Sequence, residues 1–191
     1  MDRTRRWEEG KNALQKAFDY YKKAQHKENQ YLAMINLGNA YLRQGALDEA
    51  EKCFQYATFL GVNEHYNSGR LYELRAISEL TKNNLKAAVF FAELAVLEYQ
   101  KFSSYMSLSN SLAYLAIAKH RLGEPAQMYL DQAKAVSKEH NFKVPDWVKI
   151  VQAYINRCND KAKFLPYFQR LLENESCYFL TGFYEGALHC P

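Results

Sequence analysis

The sequence predicts an all-α protein, and three observations support this. Glycine and proline together number 12 of 191 residues, about half of their usual share. Valine, isoleucine and threonine total 16, whereas alanine and leucine total 44. Apolar residues recur at helical spacing in segments that short turn signals separate. Strand-forming and turn-forming residues are therefore scarce, and the chain is long enough to bury an apolar core.

The first element is an N-terminal helix within residues 1–28. Residues 11–26 contain Ala17, Tyr21 and Ala24, a small, aromatic and small spacing that is typical of the second helix of a helix hairpin. We interpret this element as a partial repeat or a cap. It carries eight Lys or Arg residues against five acids, which is +3 of the net charge of +4. Because the acids are interleaved with the bases, we interpret this as a solvated helix face and expect no direct nucleic-acid binding.

Residues 29–61 contain the clearest pattern. Two stretches with apolar residues at i, i+3, i+4 and i+7 flank a break at Gln44 and Gly45. Gly38 is small where two helix axes must come close, and Gly45 supplies a left-handed turn. The segment therefore predicts two short helices folded back on each other as a hairpin.

This hairpin resembles the tetratricopeptide repeat (TPR) family. Its motif residues stand at the family's intervals and are Leu37, Gly38, Tyr41, Ala50, Phe54 and Ala57. Two positions depart from the family: Met34 replaces its leading aromatic residue, and Val62 stands in place of its closing proline. The resemblance implies a right-handed α-solenoid of antiparallel helix hairpins, a TPR-like superhelix, in which the first helix of each pair lines a concave groove.

The same pattern recurs with a period near 38. Small residues at the first-helix position lie 38, 40 and 37 residues apart, at Gly38, Ala76, Ala116 and Ala153. Turn residues follow at Gly45, Asn83 with Asn84, Gly123, and Asn159 with Asp160. We therefore predict four hairpins, in residues 29–61, 65–100, 104–140 and 146–173, followed by a C-terminal capping helix and tail in residues 174–191.

The register of the third hairpin, residues 104–140, is ambiguous by two residues. Ala126, Leu130 and Ala133 fit the repeat spacing, but Gly123 then comes late. Pro125 suits the first turn of the helix that follows, where its missing N–H costs nothing.

The sequence contains no motif of a known catalytic or metal site. It has no phosphate-binding glycine loop, no nucleophile elbow and no zinc-protease signature. Its four cysteines show no C-x-x-C spacing, and its five histidines are scattered. We therefore expect neither an enzyme nor a cofactor or metal.

The sequence also shows neither a transmembrane segment nor a secretory signal. The longest apolar run, residues 112–118, is far shorter than the ~20 residues needed to span a bilayer. The basic residues near the N-terminus have no apolar stretch behind them, so they do not form a secretory signal. We expect a cytoplasmic protein.

Candidate binding residues are those at the groove-facing positions of the predicted first helices. They are Asn36, Asn39, Arg43, Arg70, Glu73, Asn110, Tyr114 and Arg121. The primary amides of Asn36 and Asn39, one turn apart, can both donate to and accept from a peptide backbone. Arg43 and Arg121 each follow a small helix residue by five positions, and could clamp a carboxylate or phosphate or, alternatively, satisfy carbonyls at a helix C-terminus.

These features predict a non-enzymatic module that holds a peptide or partner segment in its groove. The lengthened repeats resemble the peptide-sensing domains of Gram-positive quorum-sensing regulators. The alternative is a structural scaffold or chaperone that self-associates, for example as a homodimer, or holds a larger protein partner.

Overall fold

A computed structural model describes residues 3–61 and 66–156. Within these residues the structure is entirely helical, which confirms the predicted all-α class. The helices are α1 (Arg3–Lys23), α2 (Lys27–Arg43), α3 (Leu47–Leu60), α4 (Tyr66–Thr81), α5 (Leu85–Lys101), α6 (Tyr105–Arg121), α7 (Gln127–Glu139) and α8 (Asp146–Asn156). The second half of the hairpin expected at residues 146–173, and the cap expected at residues 174–191, lie outside the described residues.

Every helix packs against the next one along the chain. The even-numbered helices also contact one another in order, α2 with α4, α4 with α6, and α6 with α8. α6 contacts α4, α5, α7 and α8, and each of its residues from 111 to 118 is buried. A helix that is buried all round must be covered by neighbours on every side.

Small buried residues set the packing of the odd-numbered helices α3, α5 and α7. Two alanine positions recur at intervals of 38 residues, and these alanines are at most 6% exposed. They are Ala50, Ala88 and Ala126, and then Ala57, Ala95 and Ala133. The even spacing gives these buried alanines equivalent places in α3, in α5 and from the N-cap of α7 onward.

Glycines let two of the helix pairs come closer still. A Cβ added at Gly38 in α2 would lie 2.4 Å from Cε1 of Phe54 in α3. A Cβ at Gly69 in α4 would lie 2.8 Å from Cε1 of Tyr99 in α5. Real Cβ atoms do not approach a ring so closely, so both aromatic rings pack directly on the backbone of the facing helix.

The helices are separated by a repeated turn. One or two residues after the end of each helix from α1 to α7, a residue adopts positive φ: Gln25, Gly45, Gly61, Asn83, Ser103, Gly123 and Asn141. At Gly45 the N–H donates to the Leu42 carbonyl, and the next N–H, of Ala46, donates to the Tyr41 carbonyl. The same pair of bonds closes the turns at Gln25, Asn83, Ser103, Gly123 and Asn141. This is the Schellman arrangement, which satisfies the last carbonyls of a helix.

The structure differs from the sequence expectations at two helix starts. α1 begins at Arg3, earlier than residue 11, because charged helix formers extend a helix without adding to the apolar pattern. α7 begins at Gln127, so Pro125 precedes the helix rather than standing in its first turn. Residues 122–126 form a longer connection than residues 44–46 or 82–84. Gly123 comes late because α6 ends at Arg121, 40 residues after α4 ends at Thr81, whereas α4 ends 38 residues after α2 ends at Arg43. The longer connection then leaves Ala126 just before the start of α7.

Among the described helices, none combines the length and the apolar character that crossing a membrane requires.

Candidate functional site

A cleft of about 280 Å³ opens where α2, α4 and α6 lie side by side, with one residue of α5 reaching in from behind. The residues that line it are Asn39, Leu42 and Arg43 from α2, Arg70, Glu73, Leu74 and Ile77 from α4, Tyr99 from α5, and Ser107 and Tyr114 from α6. Leu42, Leu74 and Ile77 are nearly fully buried. The cleft therefore combines an apolar base with polar and charged groups, which is the composition of many ligand sites.

Five of the eight candidate residues border this cleft. They are Asn39, Arg43, Arg70, Glu73 and Tyr114. They come from three helices, so positions that are distant in sequence meet because the even-numbered helices stand in a row. Asn36 and Asn110 lie on α2 and α6 and are partly buried, but they are not among the residues that line the cleft.

Arg121, the remaining candidate residue, is occupied elsewhere. Its Nη1 donates to the carbonyl of Leu80 at 3.1 Å, and its Nη2 donates to Oδ1 of Asn83 at 2.8 Å. The guanidinium thus satisfies the C-terminal end of α4 and the turn after it, not the end of its own helix. Of the two roles considered for this arginine, the geometry matches the capping of carbonyls.

Glu73 is the most unusual group in the cleft. The Tyr99 hydroxyl donates a hydrogen bond of 2.7 Å to Oε2 of Glu73. Tyr99 itself is 2% exposed, so only its hydroxyl end borders the cleft. The ring can lie flat against α4 because Gly69, one turn before Glu73, has no Cβ. A glycine, a buried tyrosine and a carboxyl group thus form one connected unit.

The environment of Glu73 changes its acidity. Burial raises the pKa of this carboxyl to about 7, and the Tyr99 hydrogen bond and the nearby Arg70 only partly oppose that rise. Near neutral pH the group therefore exists both protonated and ionised. When protonated it donates one hydrogen bond, and when ionised it accepts only.

Two arginines give the cleft an excess of positive charge. Arg43 and Arg70 are exposed and lie on different helices, and Glu73 is the single acid among the described residues that line the cleft. Guanidinium groups bind carboxylates through paired hydrogen bonds. Asn39, on the same helix as Arg43, adds an amide that can pair with a peptide bond.

One lining residue of the cleft, Tyr114, belongs to an aromatic pair. The ring of Tyr114 in α6 lies 5.0 Å from the ring of Trp147 in α8, centroid to centroid. Tyr114 is 7% exposed and borders the cleft, so a ligand that contacts it changes the surroundings of an indole ring. Trp147 is therefore a natural fluorescence reporter for the site.

Sequence reasoning did not select Tyr99 or Ser107. Tyr99 lies near the end of a helix that the repeat pattern assigns to the outer layer, so its spacing gives no indication of a site. The signal that could have found it is Gly69, a helical glycine opposite a large aromatic residue, as Gly38 is opposite Phe54. Ser107 carries no comparable signal.

Metal-binding groups do not come together in the described part of the chain. No group of three or more His, Cys, Asp or Glu residues there is close enough to hold a metal ion. Cys53 is buried, and burial raises the pKa of its thiol to about 11, which keeps it protonated.

Comparison of the sequence with protein-family models gives no match. Comparison with curated proteins also finds no relative.

Proposed function

We propose that this protein is a non-enzymatic, TPR-like module that holds an extended peptide or partner segment along α2, α4 and α6. The observation that carries the proposal is the cleft, in which Asn39, two arginines and Tyr114 from three successive even-numbered helices meet over an apolar base. A peptide requires such a mixture, because its backbone needs polar partners and its side chains need apolar surface.

The arrangement of the helices supports a solenoid of antiparallel hairpins. Consecutive helices pack pairwise, the even-numbered helices contact one another in a row, and the packing alanines recur every 38 residues. In a right-handed TPR-like superhelix the first helices of the pairs line the concave side, and α2, α4 and α6 have that place in the order of elements. A ligand in a groove along these helices contacts several repeats at once.

The chemistry of the cleft suits a segment with a carboxylate. Arg43 and Arg70 offer guanidinium groups from two helices, and Asn39 offers an amide to the adjoining peptide bond. The resemblance to peptide-sensing domains of Gram-positive regulators makes a short, free peptide the first ligand to test.

The test is selection of peptides from a random display library on the intact chain, followed by titration of the best peptide. Fluorescence of Trp147 reports binding, in a Trp7→Phe background that removes the other tryptophan. We expect Asn39→Ala combined with Arg43→Ala to weaken binding at least tenfold, since two polar contacts are removed. The variant Gln132→Ala, an exposed amide on α7, is the matched control. Undiminished binding by the double variant, with helicity intact in circular dichroism, would contradict the proposal.

A second candidate function is that of a scaffold that self-associates through its odd-numbered helices. Large apolar side chains are exposed on these helices at Tyr20, Phe59, Phe90, Leu97 and Met128. Phe90 and Leu97 are seven residues apart on α5, so they lie on one face. Concentration-dependent mass in light scattering that Phe90→Ser with Leu97→Ser abolishes would favour this candidate, and a constant monomer mass would exclude it.

A further inference from the structure

Glu73 has no evident place in a cleft that binds a carboxylate, because an ionised glutamate would repel it. Glu73 nevertheless lies among the lining residues, together with Arg70 of its own helix and Arg43 of α2. The cleft has a volume of about 280 Å³, so a carboxylate bound in it lies close to Glu73. The charge of Glu73 must therefore influence binding at this site.

We infer that the cleft takes up a carboxylate-bearing peptide together with one proton, which Glu73 receives from solvent. This inference rests on the proposed function and adds regulation of that site by pH. The protonated carboxyl no longer repels the ligand and can donate a hydrogen bond to it. A bound carboxylate then meets Arg43 and Arg70 beside a neutral Glu73 rather than a charged one.

The surroundings of Glu73 support proton uptake. Among the residues that the structure describes, the charged and titratable groups that share the cleft with it are Arg70 on its own helix, Arg43 on α2, Tyr99 on α5 and Tyr114 on α6. α3, which also contacts α4, contributes no side chain to the lining. Both cations are arginines, which remain charged at every relevant pH. Glu73 is therefore the group in this set that changes its charge near neutrality, since burial raises its pKa to about 7.

The Tyr99 hydroxyl fixes the carboxyl in place for this role. Its hydrogen bond of 2.7 Å occupies Oε2, so the other oxygen remains to carry the proton and to meet a ligand. Because Tyr99 is almost fully buried and packs on the backbone at Gly69, the carboxyl cannot easily turn away. Its position is thus defined before any ligand arrives.

The direction of the pH effect follows from linkage. A bound carboxylate raises the pKa of Glu73 further, because two negative charges in one cleft repel each other. Binding then takes up a proton at pH values above about 7, and affinity falls as pH rises. If only the protonated form binds, the dissociation constant increases about tenfold between about pH 6 and about pH 8.

The experiment measures that dependence with the best peptide from the random library. Titrations at both pH values compare the unchanged chain with Glu73→Gln, whose amide has the shape of a neutral carboxyl. We expect Glu73→Gln to bind with similar affinity at both pH values. Glu139→Gln, an exposed acid at the end of α7, is the control for loss of one negative charge, and it should keep the tenfold dependence. Calorimetry in two buffers of different ionisation enthalpy should show proton uptake that Glu73→Gln removes.

Two modified peptides identify the source of the carboxylate. One has an amidated C-terminus, and the other has its Asp and Glu residues replaced by Asn and Gln. The modification that removes the pH dependence identifies whether the peptide's terminus or a side chain lies beside Glu73.

The outcomes separate this inference from the proposed function. Binding that is lost in the Asn39 and Arg43 double variant but is independent of pH overturns proton uptake alone. An unchanged pH dependence in Glu73→Gln, or an affinity that increases with pH, also overturns it. If no peptide binds the cleft at either pH, both the proposed function and the coupled uptake are wrong.

Discussion

Gly38→Ala is the substitution for which the structure gives the sharpest magnitude. The new Cβ would lie 2.4 Å from Cε1 of Phe54, whose side chain is fully buried, whereas ordinary carbon contacts are about 3.5 to 4.0 Å. The ring must therefore move by about 1 Å in a packed interior, and overpacking of this kind costs about 1–3 kcal/mol. The higher helix propensity of alanine returns at most about 1 kcal/mol. We expect a net loss of about 1–2 kcal/mol in the free energy of unfolding, or a decrease in Tm of about 2–8 °C.

Urea unfolding of the intact chain, followed by circular dichroism, measures this loss. Gly10→Ala is the control, because Gly10 lies exposed in α1 and its added Cβ would meet nothing within 4 Å. That control should gain about 0.5–1 kcal/mol. Adding Phe54→Leu to Gly38→Ala should cost less than the sum of the two single changes, since the smaller side chain relieves the clash. If Gly38→Ala stabilises the protein as much as Gly10→Ala does, the close packing of α2 on α3 is refuted.

Three further predictions concern the contacts of two arginines and the effect of pH. Nη2 of Arg75 donates to Oε1 of Glu51 in α3 at 2.9 Å, and Cζ of Arg75 lies 4.1 Å from the ring centroid of Phe91 in α5. Because both contacts are lost, Arg75→Ala should lower the free energy of unfolding, measured in urea, by about 2–3 kcal/mol. Arg121→Ala should lower it by about 1–2 kcal/mol and leave peptide affinity within twofold of the unchanged chain, because its guanidinium holds the end of α4 rather than the cleft. Because the pKa of Glu73 is raised to about 7, the folded state retains a proton that the unfolded chain releases near pH 4.5. The free energy of unfolding should therefore fall as pH rises from about 4.5 to about 7. At pH 8 the Glu73→Gln variant should be more stable than the unchanged chain by about 1–3 kcal/mol. An equal stability of the Glu73→Gln variant and the unchanged chain across that pH range would contradict the last prediction.

Local chemistry was sufficient to predict much of the helical pattern. Apolar periodicity predicts the helix pairs, because apolar residues at i, i+3, i+4 and i+7 lie on one face of a helix. Gly45 and Gly123 were recognised as turns, since glycine adopts positive φ readily. Gln25 and Ser103 adopt the same conformation, but glutamine and serine rarely do so, and these two turns carry no clear signal in the sequence.

The parts of the site that escaped prediction depend on contacts between distant residues. Arg121 reaches the carbonyl of a residue 41 positions earlier, so its partner is visible only in the folded chain. Tyr99 reaches Glu73 across 26 positions, and this contact requires the missing Cβ of Gly69. Asn39, Arg43 and Glu73 could be placed on groove-facing helices because their position in each repeat is a local property.

The central claim is that the cleft between α2, α4 and α6 holds a peptide, and backbone amide NMR tests it most directly. The measurement is the change in amide chemical shifts of the isotope-labelled, intact chain on addition of the best peptide from the library. We predict the largest changes around Asn39, Glu73 and Tyr114, together with a shift of the Trp147 indole signal. Chemical-shift changes confined to α3, α5 and α7, for example at Phe59 in α3, with none at the cleft, would contradict this claim.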